Sequence, residues 1–218
     1  MTILGTSAES IAVIDSGGAN LGSVLHALRR LDAPAFLTSD ADRIRAADRV
    51  LLPGVGSARS AMQALDQAGL IEVIRGLQQP VMGICLGLQL LYERSEEGDC
   101  DCLGLIPGQV RQLEAGPELR LPHMGWNQLE WRDFDDPLAH GMDPTDWFYF
   151  VHSYGAPIEH AVAVSQHGQT FAAIVRRGNF SACQFHPEKS ASAGERLLAN
   201  FLQSQPIPTP SSTSKEPA

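Results

Sequence analysis

The chain is poor in what a membrane span, a disulfide scaffold or a phosphate-backbone binder needs. No apolar run approaches the roughly 18 residues of a spanning helix, and Met1 to Ser10 lack the basic start and long apolar stretch of a signal peptide. A cytosolic protein is expected. The four cysteines, Cys85, Cys100, Cys102 and Cys183, are too few and too unevenly placed for a disulfide framework, and in a reducing compartment they are thiols. Cys100-Asp101-Cys102 has no second close pair to complete a metal pattern and reads as an exposed loop. Positive charge is scarce too: 16 Lys and Arg face 25 Asp and Glu, a formal charge of −9, which argues against a nucleic-acid partner. No internal repeat is found. What is present is 44% apolar residues in 218, enough for one domain with a sizeable core.

The first half alternates strand and helix patterns. Ile11 to Asp15, Ala35 to Thr38, Val50 to Leu52 and Val81 to Ile84 are short apolar runs. Between them lie the helical stretches Leu21 to Leu31, Asp42 to Ala47 with Asp40 as N-cap, Ala58 to about Ala68, and Ile71 to Leu77. That rhythm predicts a parallel sheet covered on both faces. After a polar loop from Tyr92 to Cys102 the rhythm changes. Gly108 to Leu113, Asn127 to Trp131, Trp147 to Val151, Ala161 to Ser165, Phe171 to Val175 and Phe180 to Gln184 are strand-like and separated by turn residues, so antiparallel pairs should extend the sheet. Ser190 or Ser192 starts a closing helix through about Phe201. The boundaries expected are an extension over 1–9, one domain over 10–203, and a Pro- and Ser-rich disordered tail over 204–218.

Three short blocks carry chemistry. Gly83-Ile84-Cys85-Leu86-Gly87 follows a strand and precedes a helical run, the cysteine form of a G-x-S-x-G nucleophile elbow. The start of a helix there and a nearby imidazole would both favour thiolate. A small buried thiol is the other reading of the same residues. Pro53-Gly54-Val55-Gly56 closes the third strand, where open α/β sheets place ligands, and reads either as an oxyanion loop or as an ordinary strand-to-helix turn. In Gln184-Phe185-His186-Pro187-Glu188-Lys189-Ser190 a histidine and a carboxylate share one turn, the base and orienter that a thiol nucleophile needs.

With these blocks in this order, the chain from about Ile11 to Phe201 resembles the class I (triad) glutamine amidotransferases, whose marks are G-x-C-x-G-x-[QEH], P-G-x-G and H-P-E. Met82 to Leu91, His123-Met124-Gly125-Trp126-Asn127 and Tyr149-Phe150-Val151-His152-Ser153-Tyr154 narrow the resemblance to the glutaminase subunits of imidazole glycerol phosphate synthase. Glutaminases of anthranilate or aminodeoxychorismate synthases are the alternative. Two departures stand out: Gly17-Gly18-Ala19-Asn20 replaces the usual G-x-G-N, and Ala58 stands where many relatives have phenylalanine.

The resemblance implies a flavodoxin-like α/β fold and no metal or organic cofactor. It implies glutamine hydrolysis to glutamate and ammonia, and a (β/α)8-barrel cyclase subunit as partner in a heterodimer. It casts Cys85 as nucleophile, His186 as base and Glu188 as its orienter. Gly54, Val55, Gly56 and Leu86 become the oxyanion hole, and Gln89, Ser153 and Tyr154 the candidates for holding the amino-acid end of glutamine. Asn20, His123, Trp126 and Lys189 are candidates for the partner interface, with a structural role as the favoured alternative for His123 and Trp126.

Overall fold

The computed structural model of the chain describes residues 10–15, 21–54, 56–116 and 119–204. Strand β1 (Ile11–Ile14), helix α1 (Leu21–Arg30), β2 (Ala35–Thr38), α2 (Ala41–Ala46), β3 (Arg49–Gly54), α3 (Ala58–Gln67), α4 (Ile71–Arg75), β4 (Val81–Cys85) and α5 (Leu86–Leu90) make up the alternating half. Next come β5 (Tyr92–Ser95), β6 (Cys100–Asp101), β7 (Ile106–Gln112), β8 (His123–Gln128), β9 (Glu130–Trp131), β10 (Trp147–His152) and β11 (Tyr154–Gly155). The chain closes with β12 (Ala161–His167), β13 (Gln169–Arg177), β14 (Phe180–Cys183) and α6 (Ala191–Gln203).

The central sheet has eight strands in the order β2-β1-β3-β4-β14-β13-β12-β9. From β2 to β14 the pairings are parallel, and from β14 to β9 antiparallel. Alternate residues of β1 enter opposite cores: Ile11 and Val13 join α1, α6 and the aromatic residues Phe148 and Phe150, while Ala12 and Ile14 join Ile44, Ala61, Val73 and Leu88 of the helices on the other face. Burial on both faces is what makes these strands read as continuous apolar runs. Asp40 caps α2 as expected, its Oδ1 accepting from the amides of Asp42 and Arg43 at 2.9 Å.

Two smaller sheets stand apart from the large one: the ribbon β8-β10, and the four strands β11-β7-β5-β6. The latter corrects the polar loop expected over Tyr92 to Cys102. Tyr92 is fully buried and Cys102 is buried with it, so the segment is a hairpin whose charged residues face outward. Burial pushes the Cys102 thiol up to about 12. Residues 1–9 and 205–218 lie outside the described residues. Ser204, counted above with the tail, is buried, and its carbonyl accepts from Arg49 Nη1 at 2.7 Å.

Candidate active site

Cys85 ends β4 with φ +55° and ψ −109°, a conformation that is strained for any residue with a side chain. Three glycines make room for it. A Cβ on Gly83 would lie 2.6 Å from Gly87 O, one on Gly87 would lie 1.8 Å from Leu52 O, and one on Gly54 would lie 2.7 Å from Gly87 N. The small residues of the elbow are therefore required by the close passage of α5 over the ends of β3 and β4. Register pairs Gly54 with Cys85 and Ile84 with Cys183. The Pro53–Gly54 strand end, the cysteine and the turn after β14 thus lie side by side at the carboxyl ends of three central strands.

That turn holds His186, whose Nδ1 lies 2.8 Å from Glu188 Oε1. Both side chains are buried. The His186 amide donates to Tyr149 O at 2.9 Å, and Ser190 Oγ donates to His186 O at 2.7 Å while accepting from the Tyr149 amide. Ser190 thus starts α6 without capping it through its hydroxyl; the hydroxyl ties the histidine turn to β10. Gly194 brings α6 against the same turn, since a Cβ there would lie 1.9 Å from Pro187 O. Burial alone would lower the His186 pKa. Hydrogen bonds to Cys85 and Glu188, with the charges of both, overcome that and raise it to about 10. At neutral pH the imidazole is therefore protonated beside the sulfur.

Two cavities meet at Cys85. One, of about 200 Å³, is lined by Gly56, Cys85, Leu86, Gln89, Glu97, Pro122, Val151, His152, Ser153 and Tyr154. The other, of about 260 Å³, shares Gly56, Cys85, Leu86 and Val151 and adds Gly54, His186 and Lys189. Gln89, Ser153 and Tyr154 thus fall together in the first cavity. Gln89 Nε2 donates to Tyr154 O and to Gln184 Oε1, both at 3.1 Å, so Oε1 is the atom it has to offer a ligand. Val55 and Asn20 lie outside the described residues. Gly56 has φ +85°, a backbone that favours glycine.

Reading the sequence alone missed three residues of this site. Glu97 sits in the segment read above as a polar loop, yet it is half-buried at the cavity wall, where its Oε2 accepts from the Ala58 amide at 2.8 Å. Burial raises its pKa, partly offset by that bond. Gln184 was visible only as a neighbour of the His-Pro-Glu triplet; it follows the end of β14, fully buried, with its Nε2 3.8 Å from the sulfur. His152 lines the cavity from within the aromatic block.

His123, a candidate interface residue above, is instead buried. It stacks on His167 and Phe150 with centroids 4.3 and 5.0 Å apart, and its Nδ1 meets His152 Nε2 at 3.0 Å. Strand alternation explains the correction: on β8, His123 points inward, while Met124 and Trp126 point out, 63% and 50% exposed. Register sets Met124 opposite Val151 and Trp126 opposite Tyr149, so the outer face of the ribbon is apolar and leads to the cavity mouth at Val151. Lys189 is exposed at the second mouth.

The family model of class-I glutamine amidotransferases matches residues 12–204. The chain belongs to this family. Among known proteins, this amidotransferase is 52% identical over 194 residues to the imidazole glycerol phosphate synthase subunit HisH of Xanthomonas axonopodis pv. citri, covering 88% of this chain and 96% of that one. It is 53% identical over 193 residues to subunit HisH 2 of Legionella pneumophila subsp. pneumophila, with the same coverage. The amidotransferase fold is shared with solved structures of much lower identity. PurLQS from Thermotoga maritima superposes with a TM-score of 0.68 at 17% identity, covering 90% of this chain and 98% of that one. A structure described as a glutamine amidotransferase superposes at 0.66 and 20%, covering 88% and 96%. Among the described residues no helix is long and apolar enough to cross a membrane.

Proposed function

We propose that this amidotransferase is the glutaminase subunit of an imidazole glycerol phosphate synthase, acting in the cytoplasm, with Cys85, His186 and Glu188 as its catalytic triad. The observation that carries the chemistry is the buried His186, bonded to Glu188 and lining the same small cavity as Cys85. Cys85 thiolate attacks the side-chain amide carbon of glutamine. The oxyanion of the tetrahedral intermediate needs preorganised backbone donors, which the amide at Leu86 and the loop from Gly54 through Val55 to Gly56 supply. His186 gives its proton to the departing ammonia, leaving a thioester on Cys85. It then takes a proton from the water that releases glutamate, with Glu188 stabilising the imidazolium.

The two cavities divide the substrate from the product. Glu97, Gln89, Ser153 and Tyr154 take the amino-acid end of glutamine, Glu97 being the carboxylate on that wall for its ammonium group. The cavity by Lys189 is the way out for ammonia. The partner is the (β/α)8-barrel cyclase subunit, forming a heterodimer and covering the apolar ribbon face of Met124, Trp126, Tyr149 and Val151 together with Lys189. An exposed apolar face at the mouth of a catalytic cavity suits such docking. Ammonia crosses to the partner, which forms imidazole glycerol phosphate and aminoimidazole carboxamide ribonucleotide from the phosphoribulosylformimino precursor.

The test is Cys85→Ala in the complex. Glutamine-dependent synthesis should disappear, while synthesis from added ammonium salt continues at the wild-type rate. Undiminished turnover on glutamine would refute the nucleophile assignment.

A further inference from the structure

A buried polar chain runs from the β8 ribbon through Tyr154 and Gln89 to Gln184, a residue without a role in the mechanism above, and on to the nucleophile. His152 Nδ1 lies 2.8 Å from Tyr154 O, and a carbonyl can only accept, so this nitrogen carries the hydrogen. Burial lowers the His152 pKa to about 3 and the His123 pKa to about 4, so both rings are neutral at pH 7. His152 Nε2 therefore accepts, and His123 Nδ1 donates to it at 3.0 Å.

The same carbonyl of Tyr154 also faces Gln89 Nε2 at 3.1 Å, which orients the Gln89 amide with its NH₂ group inward. The second hydrogen of that group goes to Gln184 Oε1, also at 3.1 Å. Turning the Gln184 amide over would set two NH₂ groups against each other, so its orientation is fixed as well. Its Nε2 is left 3.8 Å from Cys85 Sγ. Gln184 is fully buried, and water cannot take that place.

We propose that Gln184 is a positioning residue for the nucleophile: its amide N–H, aimed by Gln89 and the Tyr154 carbonyl, donates to the Cys85 sulfur and favours the thiolate over the thiol. An N–H donor stabilises an anionic sulfur far more than a neutral one, because hydrogen bonds to charged atoms are about twice as strong. The thiol form gains little from the contact. The proposal rests on Cys85 being the nucleophile, and it explains why a glutamine is buried without exposure beside a cysteine in a largely apolar core.

Alkylation of Cys85 by iodoacetamide, followed site by site by mass spectrometry in the full chain, tests it. Gln184→Met keeps the length of the side chain and removes the donor. Its alkylation rate at pH 7, relative to its own rate at pH 10, should fall about tenfold from the wild-type ratio, the size expected for one lost bond to a charged atom. Gln89→Met leaves Gln184 in place but frees its amide to turn, and should lower the same ratio at least about threefold, a partial loss of the same bond. This variant carries the test if Gln184→Met does not fold. An unchanged ratio in folded variants would show that Gln184 only fills space. Failure of the nucleophile assignment is read separately, as glutaminase activity surviving Cys85→Ala.

Discussion

Replacing Glu188 by Gln probes the charge that keeps His186 protonated. The wild-type imidazole is raised from 6.5 to about 10 against the pull of burial, through its bonds to Cys85 and Glu188 and their charges. Moving a pKa that far corresponds to roughly 5 kcal/mol of preference for the imidazolium. The carboxamide of Gln keeps an oxygen that can accept from Nδ1, at the 2.8 Å now seen for Glu188 Oε1, but removes the negative charge. With two partners sharing the stabilisation, on the order of 2 kcal/mol is lost, and the His186 value falls to about 8 to 9. The assay is the pH profile of kcat/KM for glutamine in the complex, whose alkaline limb reports the acid of the free enzyme. That limb should lie near 10 in the wild type and move down by one to two units in Glu188→Gln. The sign for stability follows. A raised folded-state value stabilises fully below about pH 6.5 and is lost as the pH rises through about 10. The stability gap between the two proteins should persist to about pH 8 and close by about pH 10. An alkaline limb that stays put while kcat falls would refute this account and leave Glu188 as packing alone.

Three other substitutions read other parts of the site. Gly87→Ala places a Cβ 1.8 Å from Leu52 O and should destabilise the fold by about 1 to 3 kcal/mol or more in urea unfolding, since neither strand nor elbow has room to move. Trp126→Ala removes a half-exposed side chain and should leave the unfolding midpoint nearly unchanged while weakening the partner complex at least about tenfold in a titration, as hot-spot tryptophans do. Glu97→Gln should raise KM for glutamine by about one to two orders of magnitude, the loss expected for a charge-assisted bond. It should leave the rate of Cys85 alkylation by iodoacetamide, a reagent without an ammonium group, close to wild type.

How much of this was legible beforehand divides along physical lines. The parallel half was readable because strands buried on both faces advertise themselves as apolar runs, and because Asp40 and the glycines of the elbow are demanded by local geometry. The Cys85, His186 and Glu188 blocks were readable for the same reason, since each packs its chemistry into a few consecutive residues. Glu97 was not, because an acidic run looks the same whether it is solvated or folded back 39 residues onto the Ala58 amide. His123 was left between interface and structural roles because the side of a strand it occupies depends on register, and a shift of one residue reverses it. Gln184 escaped because its contacts with Gln89 and Cys85 exist only after segments distant in sequence meet.

The separation of the small ribbon from the large sheet has a consequence for descent. The carboxyl ends of β3, β4 and β14 hold the glycine loop, Cys85 and the His186 turn side by side in the middle of a single continuous sheet. The apolar face that leads to the cavity mouth belongs to β8 and β10, which lie outside the backbone ladder of that sheet and are tied to it through side chains, Ser165 Oγ donating to Gln128 O and Asn127 Nδ2 to Gln166 O. A lineage can therefore exchange the outward residues of the ribbon, such as Met124, Trp126 and Trp147, without disturbing the register that carries the reaction. With the proposed roles of the two regions, chemistry and partnership are heritable apart, and one hydrolytic core can be lent to different assemblies.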